Sequence, residues 1–98
     1  MIIQTPYKVG DIISMKLVSG EEVVAKFVEE TKEIIKVWNP LVLSMIQGGQ
    51  FGLAPYMMTV DPRSNFTFRA SAVVCIFKTV DDTANSFIEV TSGIKVNA

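Results

Sequence analysis

The run from Phe66 to Lys78 most constrains what this chain can fold into. Rich in aromatic and β-branched residues, it reads as a long strand. At the two-residue period of a strand, Phe66, Phe68, Ala70, Ala72, Val74 and Ile76 share the inward face. Val73, Cys75 and Phe77 make the other face apolar too. A small sheet seldom buries both faces of one strand unaided, so a second layer must cover one of them. Two covers are open: the C-terminal tail, or a second copy of the chain. In the tail, Asp81 reads as a helix N-cap and Asp82 adds negative charge to the first turn. Ala84, Phe87, Ile88 and Thr91 then fall on one helical face, and Ser92-Gly93 ends the run. This spacing predicts a helix over residues 81–91 that packs Phe87 and Ile88 onto the sheet.

Upstream the pattern is also strand-like. Ile13, Met15 and Leu17 alternate with Ser14 and Lys16. Gly20 in Ser19-Gly20-Glu21 supplies the positive φ of a tight turn, and Val23, Ala25 and Phe27 point inward from the returning strand. Glu29 to Glu33 is a charged turn with the character of a solvated tip. A strand resumes at Ile34 and is interrupted at Asn39-Pro40, because proline cannot donate to a ladder. Leu41 to Ile46 is apolar on both faces, as a central or partner-covered strand would be. Gln47 to Gly52 reads as a flexible loop, Leu53 to Thr59 as a strand broken by Pro55, and Val60 to Asn65 as a turn.

With 98 residues there is room for one domain, spanning residues 1–98. Apolar residues at 49% and charged residues at 19% exclude disorder. No apolar run reaches the roughly 18 residues of a membrane helix, so no membrane partner is expected. No secretory signal is legible at the N-terminus, and Cys75 has no second cysteine to pair with, which points to a cytoplasmic protein. The absence of histidine removes imidazole acid–base chemistry and imidazole metal ligation. A single cysteine excludes a cysteine-rich zinc site. Gly48-Gly49-Gln50-Phe51-Gly52 lacks the Lys-Ser/Thr of a phosphate loop. No nucleophile–base pair or carboxylate dyad can be assembled, so neither an enzyme nor a cofactor is expected.

The order of motifs resembles the Sm-like (LSm) RNA-binding family over roughly Ile12 to Phe77. Leu17-Val18-Ser19-Gly20-Glu21-Glu22-Val23-Val24-Ala25-Lys26-Phe27 is similar to the first half of its first motif, with Ala25 in a glycine place and Phe27 in a leucine place. Trp38-Asn39-Pro40-Leu41-Val42-Leu43 is similar to that motif's Asn-Leu end. Phe68-Arg69-Ala70-Ser71-Ala72-Val73 is similar to the short second motif, with Ala70 in the glycine place. The resemblance implies a mainly β fold, a strongly bent five-stranded antiparallel SH3-like barrel over about 12–78. It also implies a homo-oligomeric cyclic ring holding single-stranded RNA or DNA at its pore.

On that resemblance Asn39 bonds a base edge, Arg69 stacks on the base or pairs with phosphate, and Val37 stands at the base-stacking position. Lys36, with Lys32, Arg63 and Lys78, is a candidate for neutralising phosphates. Each also has a plainer reading. Asn39-Pro40 is a common turn pair, and the lysines near Glu29, Glu30 and Glu33 suit a solvated face. Trp38 should point away from Asn39 into the core, and Cys75 reads as a small buried hydrophobe. Three functions follow from these readings: a ring that binds single-stranded nucleic acid, a ring-forming scaffold that does not, and a barrel holding a small ligand between Gln47 and Asn65. A net charge of −1 gives no electrostatic preference for nucleic acid.

Overall fold

The computed structural model describes residues 6–92. Its strands are β1 (Ile12–Leu17), β2 (Glu22–Glu30), β3 (Ile34–Met45), β4 (Phe51–Pro55), β5 (Asn65–Arg69) and β6 (Val73–Lys78), followed by helix α1 (Asp81–Ser92). All pairings are antiparallel. The order is β4-β3-β2-β1-β6, with β5 also on β3. The result is one six-stranded sheet that does not close, in place of the expected five-stranded barrel.

The sixth strand arises because a 3₁₀ turn at Ala70–Ala72 divides the run read as one strand into β5 and β6, whereas β3 runs through Asn39-Pro40 without ending. Lys26 opposes Trp38 and Val24 opposes Leu41, so two residues of β3, Asn39 and Pro40, face the single Ala25 of β2. This is a bulge, and it bends the strand. Asn39 takes φ 55, a left-handed conformation that asparagine tolerates better than most residues. The outer edge of β3 changes neighbour at the same point. Ile34 to Trp38 pair with β5 and Leu41 to Met45 pair with β4. At the gap Asn39 N–H donates to Ser64 C=O at 3.0 Å, and Tyr56 N–H donates to Pro40 C=O at 3.1 Å. Pro40 therefore stands where no ladder donor is missed.

Bulging bends the sheet into a curl. Phe68 on β5 and Val73 and Ile76 on β6 join one core with Ile13, Met15, Leu17, Val23, Ala25, Phe27, Ile35 and Val37, although β5 and β6 lie at opposite edges. Only a 3₁₀ turn, Ala70–Ala72, connects those two strands. Ala70 N–H donates to Glu33 C=O at 2.8 Å, and Val18 N–H donates to Ala72 C=O at 2.9 Å, which ties the turn to both sides of the curl. That turn also resets the side-chain alternation. Phe66, Phe68 and Ile76 face the core as expected, but Val73 joins them in place of Ala72 and Val74, and Val74 is exposed. Cys75 is exposed as well, not a buried hydrophobe. The expected loop at Gln47–Gly52 holds a short 3₁₀ turn and the start of β4.

The convex face is covered by α1. Phe87 is fully buried against Ile12, Val24 and Leu41, with Trp38, Leu53 and Ala84 around them. Trp38 therefore packs beneath the helix, half-buried, with Lys26 Nζ 4.8 Å from its ring centroid. Ile88 does not join this contact and stays 39% exposed. The Val80 carbonyl accepts from Ala84 N–H at 2.9 Å, so Val80 is the N-cap and Asp81 the first helical residue, not the cap. Asp81 and Asp82 still place negative charge in the first turn.

Phe87→Ala should lower unfolding free energy by about 3–5 kcal/mol, the usual loss for a buried phenylalanine, and Ile88→Ala by much less. Urea denaturation of both variants measures the difference. Equal losses would mean that the helix is held by some other contact.

Candidate nucleic-acid interface

The turn Thr31–Glu33 joins β2 to β3, and Thr31 Oγ1 organises it by accepting from Glu33 N–H and Ile34 N–H at 3.2 Å each. Arg69 stands beside this turn. It ends β5 opposite Ile34, and the next residue, Ala70, bonds Glu33. The side chain of Arg69 is exposed. Lys32 is exposed on the same turn. Acidic residues share the corner. Glu29 opposes Lys36 across the β2–β3 ladder and pairs with it at 3.6 Å. Glu30 accepts from the Tyr7 hydroxyl at 2.7 Å.

The other candidates are placed elsewhere. Asn39 is only 2% exposed, and its Oδ1 has no hydrogen-bond partner among the described residues. The β3–β5 register puts it five residues beyond the partner of Arg69, roughly 17 Å of strand. The two residues are not brought together within one subunit, and Asn39 lies in mid-strand, not at a hairpin end. Val37 is wholly buried in the core, so its side chain offers no surface to a base. Lys36 is partly exposed but already ion-paired. Among the four residues expected at a base pocket, Arg69 alone offers a free charged side chain to solvent. The neighbouring turn was legible as a charged tip in Glu29 to Glu33. Its juxtaposition with Arg69 depends on β3–β5 pairing, which no local pattern reveals.

Tyr7 anchors the chain ahead of β1 to this corner. Its ring meets Phe27 edge-on at 4.9 Å between centroids. Burial, the hydrogen bond to Glu30 and the Glu30 charge, in that order, raise its hydroxyl from 10.0 to about 12. The folded pKa lies above the unfolded one, so this contact stabilises the fold below pH about 10 and is lost as pH climbs through about 12. An alkaline absorbance titration at the tyrosinate band should show a late-ionising phenol that Tyr7→Phe abolishes. A wild-type titration with both tyrosines ionising together near pH 10 would contradict it.

The described residues hold no group of three or more Cys, Asp or Glu placed to bind a metal ion, and no helix long and apolar enough to cross a membrane. The sequence matches no protein-family model and no curated protein.

Proposed function

We propose that this chain is an Sm-like subunit that pairs edge to edge with copies of itself into a closed ring, and that the ring acts by holding single-stranded RNA or DNA without covalent chemistry. The observation that carries the reading is the pair of open sheet edges. Among the described residues β6 bonds only β1, while β4 and β5 bond only β3. Unpaired edges invite another strand unless they are blunted. The β6 edge is not blunted, since Val74 and Phe77 are 62% and 64% exposed. Joining β6 of one copy to the β4–β5 edge of the next is a head-to-tail contact, which closes into a ring when the rotation allows. The sheet order and the 3₁₀ turn between β5 and β6 support the Sm-like form of the fold. Arg69 then repeats around one face, and repetition turns one weak contact per subunit into avidity.

A second reading keeps the ring and drops the nucleic acid. Burial of Val37 and Asn39 and the Glu29–Lys36 ion pair favour it, because they leave no base pocket and a corner of mixed charge.

Two measurements test both. Light scattering should report an oligomer for the wild type, and Phe77→Lys should shift it toward monomer while the fold persists. A wild-type monomer at micromolar concentration removes the ring. Fluorescence anisotropy with U-rich and A-rich single strands at several salt concentrations tests the ligand. Stacking or phosphate contacts at Arg69, about 1–3 kcal/mol each, would make Arg69→Ala weaken binding steeply and flatten its salt dependence. No binding at low salt by an intact oligomer selects the scaffold.

A further inference from the structure

A groove runs along one side of α1, between the helix and β4. Its two halves share Leu53 and Val90. One half, about 380 Å³, reaches Arg63 and Ser92, and the other, about 300 Å³, reaches Phe51 and Asp82. The floor is apolar because β4 turns Phe51, Leu53 and Pro55 to the convex side, opposite Met45, Leu43 and Leu41. Phe51 and Pro55 are exposed, so the floor continues to the open β4 edge. We propose that β6 of a second copy pairs antiparallel with β4, and not with β5, seating its Phe77 in this groove and its Lys78 beside Asp82. The proposal rests on the ring reading above and names the contact that joins one copy to the next.

Three observations favour this occupant. The first is side-chain direction. Phe77 lies opposite Ser14, which alternates with the inner residues Ile13 and Met15, so Phe77 points to the same convex side as the groove. A strand added at the β4 edge sets its outward side chains about 5 Å from those of β4. The Phe77 ring, bare in a single copy, then covers Phe51 and Leu53, and aromatic anchors of this kind dominate interface energies. The second is charge. Among the described residues, Asp82 is the only charged one lining the Phe51 half of the groove. Every pairing within the sheet is antiparallel, and an antiparallel addition sets the C-terminal end of β6 beside the N-terminal end of β4. That brings Lys78 to the Asp82 end. The third is the contrast with β5. Its Phe66 and Phe68 turn to the core, which leaves Asn65, Thr67 and Arg69 outward, none of them apolar. Pro55 is the last residue of β4, so the ladder positions ahead of it keep their donors.

Cross-linking tests this directly. Cys75 is the sole cysteine and shares the outward face with Phe77. With Phe77 beside Phe51 or Leu53, Cys75 falls opposite Leu53 or Pro55, within disulfide reach. Under mild oxidation Leu53→Cys or Pro55→Cys should give a ladder of chains longer than dimers, with Cys75 joined to the new cysteine by mass spectrometry. Thr67→Cys, outward on β5, should give no such ladder. Sedimentation then tests the groove apart from the strand ladder. Val90→Lys alters only the helix wall and should weaken association about tenfold. Lys78→Glu and Asp82→Lys should each weaken it roughly fivefold, and the double variant should restore it. A wild type that stays monomeric at micromolar concentration overturns the ring, and this contact with it. A wild-type oligomer that cross-links through Thr67→Cys in place of the β4 variants, or whose association Val90→Lys leaves unchanged, keeps the ring and overturns this contact.

Discussion

One strand serving three neighbours sets the shape of this molecule. β3 gives one edge wholly to β2 and divides the other between β5 and β4. A straight strand could not present a good ladder to both halves and to β2 together. The extra residue at Asn39-Pro40 supplies the bend, and proline falls where the outer edge has no strand to donate to. From the bend follow the curl of the sheet, the short crossing at Ala70–Ala72, and the division of the apolar residues into an inner core and an outer cluster under α1. The extra residue also moves Trp38 and Leu41 to the same convex side, three positions apart, where unbroken alternation would have placed residues two apart.

Much of this was legible because it is local. Gly20, with φ 110, marks the first hairpin, and the alternation of Ile13, Met15 and Leu17 against Val23, Ala25 and Phe27 gives the inner face. The doubly apolar run at Phe66 to Lys78 called for a cover that α1 does not supply, since Phe87 packs on Ile12, Val24 and Leu41 while Val74, Cys75 and Phe77 stay exposed. Residues whose fate depends on pairing were not legible. Asn39-Pro40 looks the same in a turn and in a bulge until β2 and the two outer strands are placed. Val74 and Cys75 were read as one continuous alternation with Phe66, but the turn at Ala70 and the bulge in the β1–β6 register reset it. Helix α1 covers β1, β2 and β3 and leaves the outward side chains of β6 bare.

The candidate site shows the same division. Motif order put Asn39 and Arg69 into one pocket, while register puts them at different places along β3. What remains at the Thr31–Glu33 corner is an exposed arginine among carboxylates, a surface that gains strength only through repetition. Asn39 is instead part of the interior, its Oδ1 without a hydrogen-bond partner among the described residues.

Amide hydrogen exchange, followed at several protein concentrations, tests the account most directly, because it reads the edge strands themselves. In an isolated subunit the outward N–H groups of β6 and of the β4–β5 edge are open to water. If copies pair through these edges, slow exchange should appear on both edges together and grow with concentration, while the interior strands β1 and β2 stay protected throughout. Fast exchange on both edges at every concentration would contradict the claim that this sheet is completed by its neighbours.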